Sequence, residues 1–255
     1  MGRALVIDGL VVTNPLSTIT LKNVNSILKE YYLTNTSVTE SEKTALNTFV
    51  KGLIDANLWM KMKYFYPLLG GNVSDMVIDA VSPSTEDLFA NAGVNGLSVS
   101  SRILIANTRN QVERAVGSRA KNLDTTKIGF ICSGKADSWF GGGQLFNFNT
   151  NANTFGIDIA TASSGNGYPV LTAKGTNIFS NTAYTTILER IIFGNIDNNV
   201  GSIYDNSSLL ASSNVNVTGS SIASSYGVLS NYRSNNYKYN FFAITEGMTS
   251  ADWLS

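Results

Sequence analysis

The chain has no histidine and a single cysteine among its 255 residues. Without histidine, the common general base for activating a serine or cysteine nucleophile is missing, and so are the zinc sites built on imidazole. One cysteine cannot form an intrachain disulfide, and Cys132, between Ile131 and Ser133 and close to Ile128 and Phe130, reads as a buried strand position rather than a reactive thiol. Charged residues make up only 14% of the chain against roughly 25% in a typical soluble domain, so its polar surface must come from Asn, Ser and Thr. The charges also cancel, with 18 Lys plus Arg against 18 Asp plus Glu. The densest basic run, Arg109, Arg114, Arg119 and Lys121, is interrupted by Glu113 and flanked by Asp124, which suits a solvated face and argues against nucleic acid as a partner. No apolar stretch approaches the roughly 20 residues a bilayer crossing requires, so membrane insertion is not expected. The short run Ala4 to Ile7 after Met1 is too brief for a secretory leader, and synthesis in a cytosol is expected.

What is present divides into three. Residues 1–36 hold two short apolar runs, Ala4 to Ile7 and Leu10 to Thr13, separated by Asp8-Gly9, a pair suited to a tight hairpin. A third apolar alternation at Leu16 to Leu21 and a short helix at Val24 to Leu33 follow. An isolated hairpin is marginal in water, so this segment is expected to lean on another surface and to serve as a docking element. Residues 37–71 form a helical neck. Thr39 and Glu42 make the capping-box spacing, and Leu46, Phe49, Val50, Leu53 and Ile54 recur at i, i+3, i+4, i+7, i+8. Helical character resumes at Leu58 to Tyr64 and ends by Pro67 and Gly70-Gly71.

From residue 72 to residue 255 the hydrophobic period shortens to two, which predicts a mainly β, sandwich-type domain. Strands are expected near Met76 to Ile78, Leu97 to Ile105, Lys127 to Cys132, Gln144 to Phe148, Thr154 to Ile159, Tyr184 to Phe193, Gly201 to Tyr204, Leu209 to Leu210, Val215 to Val217, Gly227 to Leu229 and Tyr237 to Ile244. Gly141-Gly142-Gly143, Ser164-Gly165-Asn166-Gly167 and Asn198-Asn199 are read as the turns of hairpins between them.

Few residues carry chemistry, and no catalytic residue, cofactor or metal site is assigned. A glycosidase needs only two carboxylates, yet the nearest approach to an E-x-D-x-x-E strand, Gly156 to Thr161, keeps Asp158 and lacks both glutamates. Asp197-Asn198-Asn199 fits a turn better than a calcium loop. The glycine run lacks the Lys-Ser/Thr and helix start of a phosphate cradle. Candidate glycan-binding residues are the aromatics expected in loops, Trp139, Phe140, Tyr168, Tyr226 and Tyr232, with Tyr237 and Tyr239 on the last strand. Aromatic faces beside amides and hydroxyls hold sugar rings, although the same residues also suit a core or a subunit interface.

Two stretches carry a family likeness. Phe49 to Trp59, continuing through Tyr66-Pro67-Leu68-Leu69-Gly70-Gly71, and Tyr239 to Asp252, with Phe242-Ala243-Ile244 and Gly247-Met248-Thr249-Ser250-Ala251, resemble the helix before the sandwich and the closing strand of phage-encoded concanavalin A-like (LamG-type jelly-roll) virion structural proteins. The resemblance implies a concanavalin A-like jelly-roll β-sandwich. It also implies a non-catalytic virion protein, whether capsid decoration, head fibre or tail component, that docks to other virion proteins through its N-terminal segment and forms a homo-oligomer. A carbohydrate-binding module for host-surface glycans is the alternative.

Overall fold

The computed structural model describes residues 5–7, 10–12, 21–83, 97–106, 123–138, 143–149, 154–161, 167–174, 176–182, 184, 189–217, 226–228 and 235–254. Leu5–Ile7 (β1) and Leu10–Val12 (β2) pair antiparallel, Ile7 opposite Leu10, in a two-stranded sheet of their own, as the Asp8-Gly9 spacing predicts. The alternation expected at Leu16 to Leu21 lies almost wholly outside the described residues. Helices Leu21–Ile27 (α1), Lys29–Thr34 (α2) and Glu40–Asp55 (α3) follow. The expected capping box is formed: Glu42 N donates to Thr39 Oγ1 at 3.3 Å, and Thr39 N donates to Glu42 Oε2 at 2.8 Å.

The helix expected to resume at Leu58 is instead a single 3-10 turn, Trp59–Lys61, leading into strand Met62–Tyr66 (β3). Tyr64 and Tyr66 are buried on one face of that strand and Phe65 on the other, so the run lacks the alternation that marks a half-exposed strand. Met76, expected on a strand, ends helix Val73–Met76 (α4), whose cap is Asn72 Oδ1 accepting from Asp75 N at 3.0 Å. The run Leu97 to Ile105 is two strands, Leu97–Ser100 (β4) and Ile103–Ala106 (β5), joined through Ser101 and Arg102, both at positive φ (50° and 62°).

The described strands after β5 are Ile128–Ser138 (β6), Gly143–Asn149 (β7), Thr154–Thr161 (β8), Gly167–Ala173 (β9), Thr176–Phe179 (β10), Arg190–Asp197 (β11), Val200–Asp205 (β12), Ser208–Asn214 (β13), Tyr226–Val228 (β14) and Asn235–Glu246 (β15), followed by helix Ser250–Leu254 (α5). The expected strand from Tyr184 begins at Arg190, Tyr184 itself forming an isolated bridge with Gly167. Val215 to Val217 is not a strand. Its N–H groups at 215 and 217 instead donate to the carbonyl and side-chain oxygens of Asn199, and both valines are buried. Strands β9 and β10 were not anticipated.

These strands form two antiparallel sheets packed face to face: five strands in the order β10-β9-β8-β7-β14, and eight in the order β13-β12-β11-β6-β15-β5-β4, with β3 pairing the remaining length of β15. The fold is the expected concanavalin A-like jelly-roll β-sandwich. Asn198 and Asn199, at φ 49° and 64°, turn the β11–β12 hairpin, where asparagine tolerates the left-handed region. Of the Gly141-Gly142-Gly143 run, Gly141 and Gly142 lie outside the described residues and Gly143 opens β7, which belongs to a different sheet from β6.

Between the sheets lie Phe130, Cys132, Phe155, Ile157, Leu171, Ile192, Ile203, Phe242 and Ile244, all at 0 or 1% exposure. Cys132 is buried there as expected. Glycines set how closely the sheets approach: a Cβ on Gly194 would meet Leu171 Cδ1 at 2.7 Å, and one on Gly201 would meet Ile178 Cδ1 at 2.3 Å. A register shift between Tyr239 and Phe241 makes Asn240 the extra residue of a bulge, so that Tyr239 and Phe242, three apart, both point into this core.

The outer face of the eight-stranded sheet carries a second core. Phe65, Ile131, Phe193, Tyr204 and Ala243 lie beneath Val24, Leu28 and Tyr31 of the first helices and Leu46 and Val50 of α3. Trp253 of α5 stacks on Phe193 at 4.4 Å, and Phe193 on Tyr204 at 5.8 Å. Residues 21–34, read from sequence as part of a docking segment, are therefore built into the sandwich. Their apolar face, Val24, Leu28 and Tyr31, spaced i, i+4, i+7, is fully buried.

Candidate binding site

The two described sequence candidates, Tyr168 and Tyr226, do not meet. Trp139, Phe140 and Tyr232 lie outside the described residues. Tyr168 is half-buried on β9 opposite Ala160, near the Thr161 end of the smaller sheet. Tyr226 is on β14 opposite Asn149, at the other end of that sheet and three strands away, about 14 Å in the hydrogen-bonding direction alone. Tyr237 is a β15 residue paired with Ala106 and Ala136, and Tyr239 is buried in the inter-sheet core at 1% exposure. Asp158 sits within β8 between Gln144 and Val170.

Sequence reasoning passed over a polar cluster at the end of the sandwich nearest Tyr168. Arg190, at the start of β11, and Asp205, at the end of β12, form an ion pair whose side chains are 19% and 9% exposed. The Arg190 guanidinium lies 3.8 Å from the centre of the Tyr184 ring, and Tyr184 bridges to Gly167, the residue before Tyr168. Burial, reinforced by the nearby Asp205 carboxylate, pushes the Tyr184 phenol well above its ordinary range, so it remains a neutral hydroxyl. Arg190 Nε and Asp205 Oδ1 are buried without hydrogen-bond partners. Beside them, Asn240 on the β15 bulge donates to Glu189 Oε1 and, at 3.3 Å, to Ser133 Oγ. Tyr184, Arg190 and Asp205 are 6 to 21 positions apart in sequence; the last two meet across the β11–β12 pairing and Tyr184 joins them beside Gly167, so no local motif announces them.

Elsewhere polar groups are consumed by structure. Arg102 reaches from the β4–β5 turn to Glu42 Oε1 at 2.7 Å and to the Ser37 carbonyl at 2.8 Å. Partial burial raises the Glu42 carboxyl, but the bonds from Arg102 and Thr39 outweigh it and hold it below its usual range. Asp252 caps α5 through Thr249 and pairs with Lys61 at 2.7 Å. Asn35, 1% exposed, donates to the Leu69 and Asp75 carbonyls, both at 2.9 Å, tying the end of α2 to α4. Asn198 donates to Asp197 Oδ1 at 2.9 Å within its turn. Among the described residues no group of three or more Cys, Asp or Glu side chains could hold a metal ion.

No family model and no curated protein sequence matches the chain. Solved structures share its fold. The binding domain of botulinum neurotoxin DC, in complex with rat synaptotagmin II, superposes with a TM-score of 0.53 at 13% identity, over 76% of this chain and 50% of that one. A botulinum neurotoxin type C structure, from a study of cell entry through two ganglioside molecules, superposes at 0.53 and 12% identity, over 78% of this chain and 51% of the other. A carbohydrate-binding module (CBM40) of Ruminococcus gnavus sialidase matches over 51% of this chain and 82% of the module, at a TM-score of 0.40 and 10% identity. The chain thus spans about half the length of the two neurotoxin chains, and the fold it shares with them is the lectin-like jelly roll.

Proposed function

We propose that this chain is a non-catalytic bacteriophage virion structural protein, a capsid decoration, head fibre or tail component, that displays a lectin-like β-sandwich and attaches through its N-terminal hairpin. The observation that carries the reading is the contrast between the sandwich, which closes cores on both faces of its larger sheet, and β1–β2, a separate two-stranded sheet whose six residues are all apolar. Such a ribbon is marginal alone and gains stability from a surface supplied by another protein. The sequence resemblance to phage virion proteins supports the identity of that partner. Purified particles are expected to contain the chain by mass spectrometry. A variant lacking residues 1–20 should fold with an unchanged melting temperature yet be missing from particles. Incorporation of the truncated chain would sink the hairpin's role, and particles without the chain would sink the virion assignment.

A second reading, attachment to host-surface glycans, is favoured by the shared fold, since one of the superposed neurotoxin structures comes from work on cell entry that depends on two ganglioside molecules. Half-buried Tyr168, at the same end as the Arg190–Asp205 pair, is the described residue best placed for it. Binding on a glycan array, weakened about tenfold by Tyr168→Ala, is the expected result, and a blank array would discard the reading.

A further inference from the structure

The flank of the sandwich formed by β13 carries an interaction surface separate from the N-terminal hairpin. Strand β13 ends the order of the eight-stranded sheet, and among the described residues no strand pairs with its outer edge. Natural edges of this kind are blunted by charge, proline or shortness. The neighbouring free edge, β10, has four residues, and β14 has three. Strand β13 has seven, Ser-Leu-Leu-Ala-Ser-Ser-Asn, with no charged residue and no proline. A register shift against β12 makes Leu210 a bulge and leaves Ala211 to Asn214 as regular extended backbone. Ser212, Ser213 and Asn214 are exposed, and Leu209 is 57% exposed at the same edge.

We infer that this edge pairs antiparallel with β13 of a second copy of the chain, joining two eight-stranded sheets into one continuous sheet across a two-fold axis. A copy is the occupant that the surface fits. An edge strand needs an extended partner running the opposite way, and a two-fold rotation of β13 supplies one in which residue i faces j and j faces i. The side chains that would face one another, Ala211, Ser212, Ser213 and Asn214, are small and uncharged, so the pairing meets neither steric bulk nor like charge. The chain as a whole has 18 positive and 18 negative side chains, so no net repulsion opposes association of two copies. The pairing also covers Leu209, which is otherwise left in water.

Because the axis stands perpendicular to the sheet, it passes midway between one residue and its own copy, whose Cα atoms are then about 4.5 to 5.5 Å apart, within disulfide range. The native thiol does not interfere, since Cys132 is buried in the core. Sedimentation of the full chain is expected to give a dimer or a multiple of it. Ser213→Lys with Asn214→Lys, exposed positions that leave the fold and its melting temperature intact, should raise the dimer dissociation constant at least about tenfold by placing like charges across the axis. Thr176→Lys on the β10 edge should change nothing. In the unmodified background, single Ala211→Cys, Ser212→Cys, Ser213→Cys and Asn214→Cys variants should differ, the one at the axis crosslinking readily under mild oxidation and its neighbours poorly, because only one residue faces its own copy. A monomeric full chain, an association indifferent to the paired lysines, or equal crosslinking at Thr176→Cys would each overturn the inference.

Discussion

The two cores on either side of the eight-stranded sheet both bury aromatic rings among aliphatic side chains and differ in how closely the opposing layer approaches. Between the sheets Tyr64, Tyr66, Phe130, Phe155 and Phe242 lie among aliphatic residues, and Gly194 and Gly201 let Leu171 and Ile178 reach the opposing backbone. Outside, beneath the helices, Phe65, Phe193, Tyr204, Phe241 and Trp253 are in ring contact or packed together, with Val24, Leu28, Leu46 and Val50 above them. A sheet facing a sheet needs small residues to approach to about 10 Å. A sheet facing a few short helices must fill uneven gaps, which large flat rings do well. The helical layer is accordingly as much a part of the fold as the sandwich interior.

The sharpest way to break that comparison is to empty one position in each core. Phe193→Ala should cost about 3 to 5 kcal/mol in urea denaturation, and Leu171→Ala about 2 to 5 kcal/mol, both in a single transition. A cost below about 1 kcal/mol at Phe193, or a separate early transition for the helices, would demote the outer layer to an appendage. A smaller effect is expected from overfilling. A Cβ on Gly129 would lie 2.4 Å from Thr245 Oγ1 and 2.8 Å from a ring carbon of Phe193. That ring is held between Tyr204 and Trp253, so Gly129→Ala should cost about 1 to 3 kcal/mol by the same measurement.

The smallest effect concerns the acid limb of stability. Burial tends to raise the Asp252 carboxyl, but bonds from Lys61 and Thr249 outweigh it and bring it down to about 2. A carboxyl whose value falls on folding contributes fully above its unfolded value near 4 and loses that contribution as pH drops toward 2. Because the pair is partly in contact with solvent, its share is about 1 kcal/mol. Between pH 4 and 2, Asp252→Asn should flatten that part of the fall in melting temperature and leave the rest. An unaltered slope would mean that α5 is held by Trp253 alone.

What could be read in advance follows the range of the interactions responsible. The Thr39 cap and the Asn198-Asn199 turn depend on neighbours within four residues, and both were legible. The Asn72 cap is equally local, but its signal was overridden by the apolar run Met76-Val77-Ile78. Strand β9 was hidden by Pro169, which normally speaks against a strand. Its carbonyl accepts from Ser180 N just past the last β9–β10 pair, so the missing N–H falls where the ladder has already ended. The Ser101-Arg102 turn has neither glycine nor asparagine to mark it, and its positive φ is held in place by the reach of Arg102 to Glu42, 60 residues away. The Tyr184, Arg190 and Asp205 cluster has no local signature either, since it needs the β11–β12 pairing and the packing of Tyr184 against Arg190.

Strand β15 pairs with β6 along one edge and with both β5 and β3 along the other. The segment that knits the larger sheet together is thus made after every other strand of that sheet. Until residues 235–246 have been made, β3 has no ladder to join, the helices before it have only part of the floor they rest on, and β6 lacks one of its two neighbours. Closure of the larger sheet therefore waits on residues 235–246, and a chain truncated before residue 235 is expected to meet quality-control proteases unfolded.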